Sequence, residues 1–258
     1  MKIFTTQGNK FKATFLKLLV AFFWIVVWHI LSLVISHEVL LASPVNVVRK
    51  LFELVHYSYF WTSIGHSLFN VFFGFCIAIF VGTSLACLTT SSKALKTFLD
   101  PILLLIKAIP VASFTVLALL WIKSYRMSMF IVFFMVLPII YFNVVGGIES
   151  TDKKLLEMAQ IFKVRKFKKF RQIYVPSVLP YFFSACQIGV GFAWKSGVAA
   201  EVIALPARSI GINIYDAKIY LENTDLLAWT VITVVLSVLV EKILMFLIQQ
   251  LKKYARGL

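Results

Sequence analysis

Along this chain long apolar runs alternate with short polar connections, and the runs share a length. Six of them, residues 15–35, 67–88, 102–122, 127–147, 179–200 and 226–248, approach the roughly 20 helical residues that cross a hydrocarbon core about 30 Å thick. The pattern predicts an all-α membrane protein: one transmembrane domain over residues 1–258, with six helical spans. The first run is longer than the 7 to 15 apolar residues at the centre of a signal peptide and is expected to be an uncleaved span. In the second, Gly74, Ala78, Gly82 and Ala86 recur every four residues, a stripe of small side chains along which a second helix can approach closely. The third run carries Lys107 and Pro110, and the fifth carries Lys195 and leads into Glu201.

Composition strengthens this reading. The chain is 60% hydrophobic and 14% charged, with a mean hydropathy of +0.90, whereas soluble domains hold about 45–50% apolar and about 25% charged residues. One aqueous core cannot hide so much apolar surface, so lipid is expected to cover much of it. The net charge of +15 would suggest nucleic acid on a soluble fold. Here the basic residues cluster between apolar runs and form no finger or aromatic-basic motif, which excludes a nucleic-acid partner and favours anionic lipid and a cytoplasmic partner. Cys76, Cys87 and Cys186 all fall in apolar runs at spacings that fit no metal site or disulfide framework, and behave as small hydrophobes.

Lysine and arginine set the orientation. With the N-terminus inside, seventeen of them fall on the inner side or at its edge, including Lys2, Lys10, Lys12, Lys17, Lys93, Lys96, Lys252, Lys253 and Arg256, against six outside: Arg49, Lys50, Lys123, Arg126, Arg208 and Lys218. Both termini are therefore expected to be cytoplasmic. Trp61, Trp121 and Trp229 then fall at the outer ends of spans, where indoles favour the headgroup region.

The most basic connection is residues 150–176, in which five of the eight residues from Lys163 to Phe170 are Lys or Arg. Asp152 is placed to cap a short helix with Leu155, Met158 or Ala159, and Phe162 at helical spacing. A second short helix sets Val164, Phe167, Phe170 and Tyr174 on one face and Lys166, Lys168, Lys169 and Arg171 around the other. Pro176 is expected to end it, and Ser177 and Pro180 to open the next span. Such a pair suits either anionic headgroups or a docked soluble protein, and composition leaves both open.

The same stretch resembles a known motif. Glu157-Met158-Ala159, then Lys163, then Ile173-Tyr174-Val175-Pro176 is similar to the EAA loop of ABC importer permeases: Glu-Ala-Ala, three residues, Gly, nine residues, Ile-x-Leu-Pro. Glu157, Ala159, Ile173 and Pro176 match outright, while Lys163 stands where the pattern has glycine. A lysine there either strains a left-handed turn or has the turn wound differently. The stretches "FLDPILLLIKAIPVASFTVLALLWI" and "GFAWKSGVAAEVIALPARSIGINIYDAKIYLENTDLLAW" resemble permeases of the nitrate, sulfonate and taurine branch.

The resemblance implies a type I ABC importer permease-like fold in a bacterial cytoplasmic membrane, crossed several times, with residues 150–176 as a cytoplasmic coupling loop. It implies a second permease copy or homologue, two cytoplasmic ABC ATPase subunits gripping the loops near Glu157, and an extracytoplasmic solute-binding protein. The coupling residues it points to are Glu157, Ala159, Lys163, Ile173 and Pro176. ATP and Mg would be bound by the partner ATPase, and this chain would hold no cofactor and no metal.

Other chemistry is sparse. "GVGFAWKS" fits a phosphate loop except that Trp194 replaces the second glycine; an indole there blocks approach to phosphate, and no strand is expected before it. His29, His37, His56 and His66 form no metal or catalytic motif, so no catalytic residue is assigned. Lys195 and Glu201 are the candidates for a substrate pathway or gate, because ionisable groups in spans usually face a cavity or a partner. Six residues apart, they stand about 9 Å along a helix and about 120° round it and need not pair. An ion-coupled secondary transporter that uses these two residues is the alternative reading.

Overall fold

The computed structural model describes residues 6–35 and 40–256. Lys2 and His37 lie outside the described residues, as do the side chains of Lys10, Lys12, Lys17, Lys252, Lys253 and Arg256. Among the described residues all regular structure is helical: α1 (Thr6–Ile35), α2 (Pro44–Val55), α3 (Ser58–Ser91), α4 (Lys93–Ala108), α5 (Val111–Ala118), α6 (Ser124–Glu149), α7 (Lys153–Ile161), α8 (Lys166–Lys169), a π-helical turn (Phe170–Tyr174), α9 (Val175–Ala204), α10 (Ile210–Ile219) and α11 (Asn223–Arg256). Among the described residues four helices are long and apolar enough to cross a membrane, or five if α4 and α5 form one broken span.

The chain divides into two compact units. One holds the residues up to Phe60 together with Asn213–Ile232, and the other holds Trp61–Ile212 and the residues from Thr233. In the first unit α1 packs on α2. Ser43 caps α2 by accepting from the Asn46 N–H at 3.2 Å, with Pro44 in the first turn. Trp229, near the start of α11, is buried within the protein, with its ring 5.4 Å from that of Phe60. Trp61 and Trp121 are exposed.

In the second unit α6 is the central helix. It is apolar around its whole circumference, as a helix covered on all sides must be, and buries residues along its length from Met127 to Gly147. Its main partner is α9, and glycines set the approach: a Cβ at Gly197 would stand 2.6 Å from Val71 Cγ2 and 3.0 Å from Ser128 Oγ. The small stripe on α3 meets α6 in the same way, since Gly74, Ala78, Gly82 and Ala86 are all buried and a Cβ at Gly74 would lie 2.5 Å from the Met129 carbonyl oxygen. Ala118 of α5, Met127, Ile131 and Met135 of α6, and Ala200 and Ala204 of α9 form a shared core cluster.

Two prolines change the expected course of the helices. The apolar run 102–122 is broken at Ile109–Pro110, and α4 and α5 are bent by 102°. Proline disfavours helical geometry in the residue before it, and Ile109 is extended at φ −70°, ψ 129°. Conversely, Pro176 does not end a helix. Residues 166–204 run on without a break, because the π turn absorbs the proline: the Val175 N–H bonds to the Phe170 carbonyl, and the Ser177 hydroxyl donates to the Ile173 carbonyl at 2.8 Å. Pro176 then sits in the first turn of α9, where its missing N–H costs little.

Candidate coupling and pathway sites

The connection between α6 and α9 is built from local chemistry. Asp152 caps α7, its carboxylate accepting from the Lys154 N–H at 2.8 Å. At the other end the Val164 N–H bonds to the Ala159 carbonyl at 2.9 Å and the Lys163 N–H to the Gln160 carbonyl at 3.1 Å. This is the 6→1 and 5→2 pair of a Schellman cap, and Lys163 takes the left-handed position at φ 47°. The turn that glycine would favour is therefore formed with lysine in place, at a conformational cost of about 1–2 kcal/mol, while two orphan carbonyls of α7 are satisfied.

Around this turn Ala159 is buried, Ile173 is half-buried, and Glu157, Lys163 and Pro176 are exposed. Ile161, Phe162 and Phe167 project from it with 74–76% of their surface open, and Arg165, Lys166 and Lys168 beside them are exposed as well. The site is an apolar tip in a basic collar, with one carboxylate, Glu157, on the same short helix. Nearby polar contacts brace the helices that carry it: the Tyr141 hydroxyl donates to Asp100 Oδ1 at 2.6 Å, joining α6 to α4, and Lys96 pairs with Glu149 at the end of α6.

The two pathway candidates are not brought together. Lys195 is exposed on α9. With it on one stripe of that helix lie Ser184, Gln187 and Gly191, the first two exposed and the glycine half-buried, so a polar strip runs along an otherwise apolar helix. Glu201 is fully buried. Its Oε2 accepts from the Ser67 hydroxyl at 2.7 Å and from the Gly211 N–H at 3.3 Å, while Oε1 has no hydrogen-bond partner among the described residues. The Ile210 N–H donates to Ser67 Oγ at 3.0 Å, so one serine and one carboxylate tie α3, the end of α9 and the start of α10 into a knot. Glycine at 211 is required by space, since a Cβ there would lie 2.3 Å from that of Glu201.

Ser67 and Gly211 were missed in the sequence because they are 134 and 10 residues from Glu201, and no local pattern links them. The polar strip on α9 was legible as Ser184, Gln187 and Lys195 at helical spacing within an apolar run. The phosphate-loop pattern dissolves in this helix: Trp194 is buried, and its Nε1–H donates to the Thr233 carbonyl at 2.9 Å.

The connection and the apolar helices on either side of it fall within a stretch that matches a known protein family. The family of binding-protein-dependent transport system inner membrane components matches residues 74–253, a range that takes in the connection and both pathway candidates. The chain belongs to that family. It is the membrane permease subunit of an ABC importer, and the ion-coupled secondary transporter is set aside. Among its relatives is SsuC of Bacillus subtilis (strain 168), whose name assigns it to aliphatic sulfonates transport, 24% identical across 89% of this permease and 84% of that protein. The nitrate import permease protein NrtB of Synechocystis sp. is 29% identical across 82% of this permease and 78% of that protein. The crystal structure of an amino acid ABC transporter with histidines superposes with a TM-score of 0.60 at 15% identity, over 82% of this permease and 97% of that chain. That likeness shows a common fold.

Proposed function

We propose that this permease forms, with a second copy or a homologue, the pathway of an importer for a small oxyanion in the bacterial cytoplasmic membrane. Two ATPase subunits carry the ATP and Mg and seat the segment from α7 to α8 in their surface, and an extracytoplasmic solute-binding protein delivers the solute. The observation that carries this reading is the tip at Ile161, Phe162 and Phe167: large apolar side chains about three-quarters exposed beside Glu157, which is placed as in the EAA loop. A protein groove buries such a tip and gives the carboxylate a partner, whereas anionic headgroups would repel Glu157.

The anionic substrate class is supported from three sides. Lys195 is the one ammonium in the described span of α9, on a polar strip. The first turn of α5 follows the break at Pro110 and has no side-chain cap, which leaves N–H groups and the positive end of a helix dipole at the kind of interruption that binds solutes in transporters. Relatives carry the names of nitrate and aliphatic sulfonates. In operation the tips move with the ATPases, and the helices bearing Lys195 alternate between outward- and inward-facing arrangements as rigid bodies.

The test is made at residue 157. A photocrosslinker there should capture the ATPase in membranes, and Glu157→Lys should lower ATP-driven uptake at least tenfold while leaving the amount of permease in the membrane unchanged. Crosslinks to lipid alone, with uptake at the wild-type level in Glu157→Lys, would overturn the coupling role.

A further inference from the structure

We propose that α2 is an in-plane membrane-surface helix whose outer stripe, Val45, Val48 and Phe52, is seated in the lipid. This rests on the membrane-spanning character of the permease and not on its substrate or orientation. The three residues recur at i, i+3 and i+7, so they share one side of the helix, and 59%, 51% and 69% of their surfaces are exposed. The helix has two further faces. Pro44, Val47 and Leu54 are buried against the protein, and Asn46, Arg49, Lys50 and Glu53 form a polar face between them and the stripe. An amphipathic helix in water needs an apolar and a polar face; a third face that is apolar and exposed marks a surface that lipid or another protein covers.

The position of α2 in the chain and in the first unit points to lipid. Lys50 Nζ lies 3.0 Å from Asp225 Oδ1, and Asp225 is in the first turn of α11, a helix that qualifies as a span. The pairing sets Lys50 of α2 beside the first turn of a helix apolar enough to cross the membrane, and the ends of such helices are where a bilayer surface is expected. The hydrogen bond to Asp225 raises the pKa of Lys50 above its ordinary value. On one side of α2 in sequence stands the apolar end of α1, with Leu31 and Val34 exposed; on the other stand Tyr57 and Tyr59, 55% and 45% exposed, with rings 5.5 Å apart. Amphipathic aromatics of this kind gather at headgroup depth. The stripe thus continues an apolar surface already turned toward lipid, and lipid is its occupant.

The experiment is a scan with single nitroxide labels at residues 45, 46, 48, 49, 52 and 53, on permease with Cys76, Cys87 and Cys186 replaced by alanine. The permease is co-expressed with its ATPase and reconstituted in phosphatidylethanolamine–phosphatidylglycerol vesicles. Relaxation by oxygen, which concentrates in the bilayer, is compared with relaxation by a neutral aqueous nickel chelate. Oxygen should exceed nickel severalfold at 45, 48 and 52, and the order should reverse at 46, 49 and 53. Greater nickel accessibility at 45, 48 and 52 would overturn the proposal. So would protection from both reagents there, whether constant, as a second permease copy would give, or appearing when the solute-binding protein is added.

Discussion

Lys195 and Glu201 are two ionisable residues of one apolar helix in opposite settings. Glu201 is fully enclosed, with Ser67 and Gly211 donating to it, so its hydrogen bonds link α3, α9 and α10. Lys195 is exposed on the polar strip of α9, and no contact among the described residues explains an ammonium there. Lys195→Met keeps the length and apolar stem and removes the charge, so fold and assembly should persist. We expect transport of a small oxyanion to fall about tenfold, the loss of about 1.4 kcal/mol of favourable interaction, with the ATPase still copurifying at the wild-type ratio. Uptake assays beside quantitative immunoblots of the purified complex check this, and equal uptake in the two proteins would return Lys195 to a structural role. The two residues could be singled out in the sequence because charge in an apolar run is conspicuous. Their difference could not, because burial depends on partners distant in sequence.

At the scale of the element, the glycines separate helix faces that must touch from faces that remain open. A Cβ at Gly74 would meet the Met129 carbonyl oxygen at 2.5 Å, and backbone cannot turn aside; a Cβ at Gly191 would meet nothing within 4 Å. Gly74→Ala is therefore expected to destabilise the permease by about 1–3 kcal/mol through overpacking. Gly191→Ala should be neutral or stabilising by about 0.5–1 kcal/mol, as alanine is in a helix interior. Thermal unfolding of the two variants in one detergent gives the order, and an equal loss in both would contradict the packing of α3 on α6. Helices and their small stripe were readable from periodicity, since both are local. The bend at Pro110 was signalled by the proline, but its size was not. Pro176 misled because a π turn, formed by backbone bonding from Phe170 to Val175, carries the helix past it. Residues 44–55 mix apolar and polar positions over too short a stretch for a span, and their amphipathic character emerges once the buried and exposed apolar faces are told apart.

For the whole molecule the number of crossings is the property on which orientation depends, and the 102° bend between α4 and α5 makes it a physical question. If the pair is one broken span, three crossings separate Arg49 from Lys168 and the two residues face opposite compartments. If the pair is re-entrant, two crossings separate them and they face the same one. The charge distribution favours the first arrangement: residues 148–176 hold eight Lys and Arg, and 36–66 hold two. Retaining such a loop inside while a weakly charged one is exported is what the positive-inside rule describes. With the native cysteines replaced, a cysteine at 49 should react with an impermeant maleimide on intact cells, and a cysteine at 168 should react only after the membrane is opened. Labelling of both on intact cells, or of neither, would make the α4–α5 pair re-entrant. It would also place Lys123 and Arg126, which follow α5 in sequence, on the same side as Lys93 and Lys96, which lie in the first turn of α4.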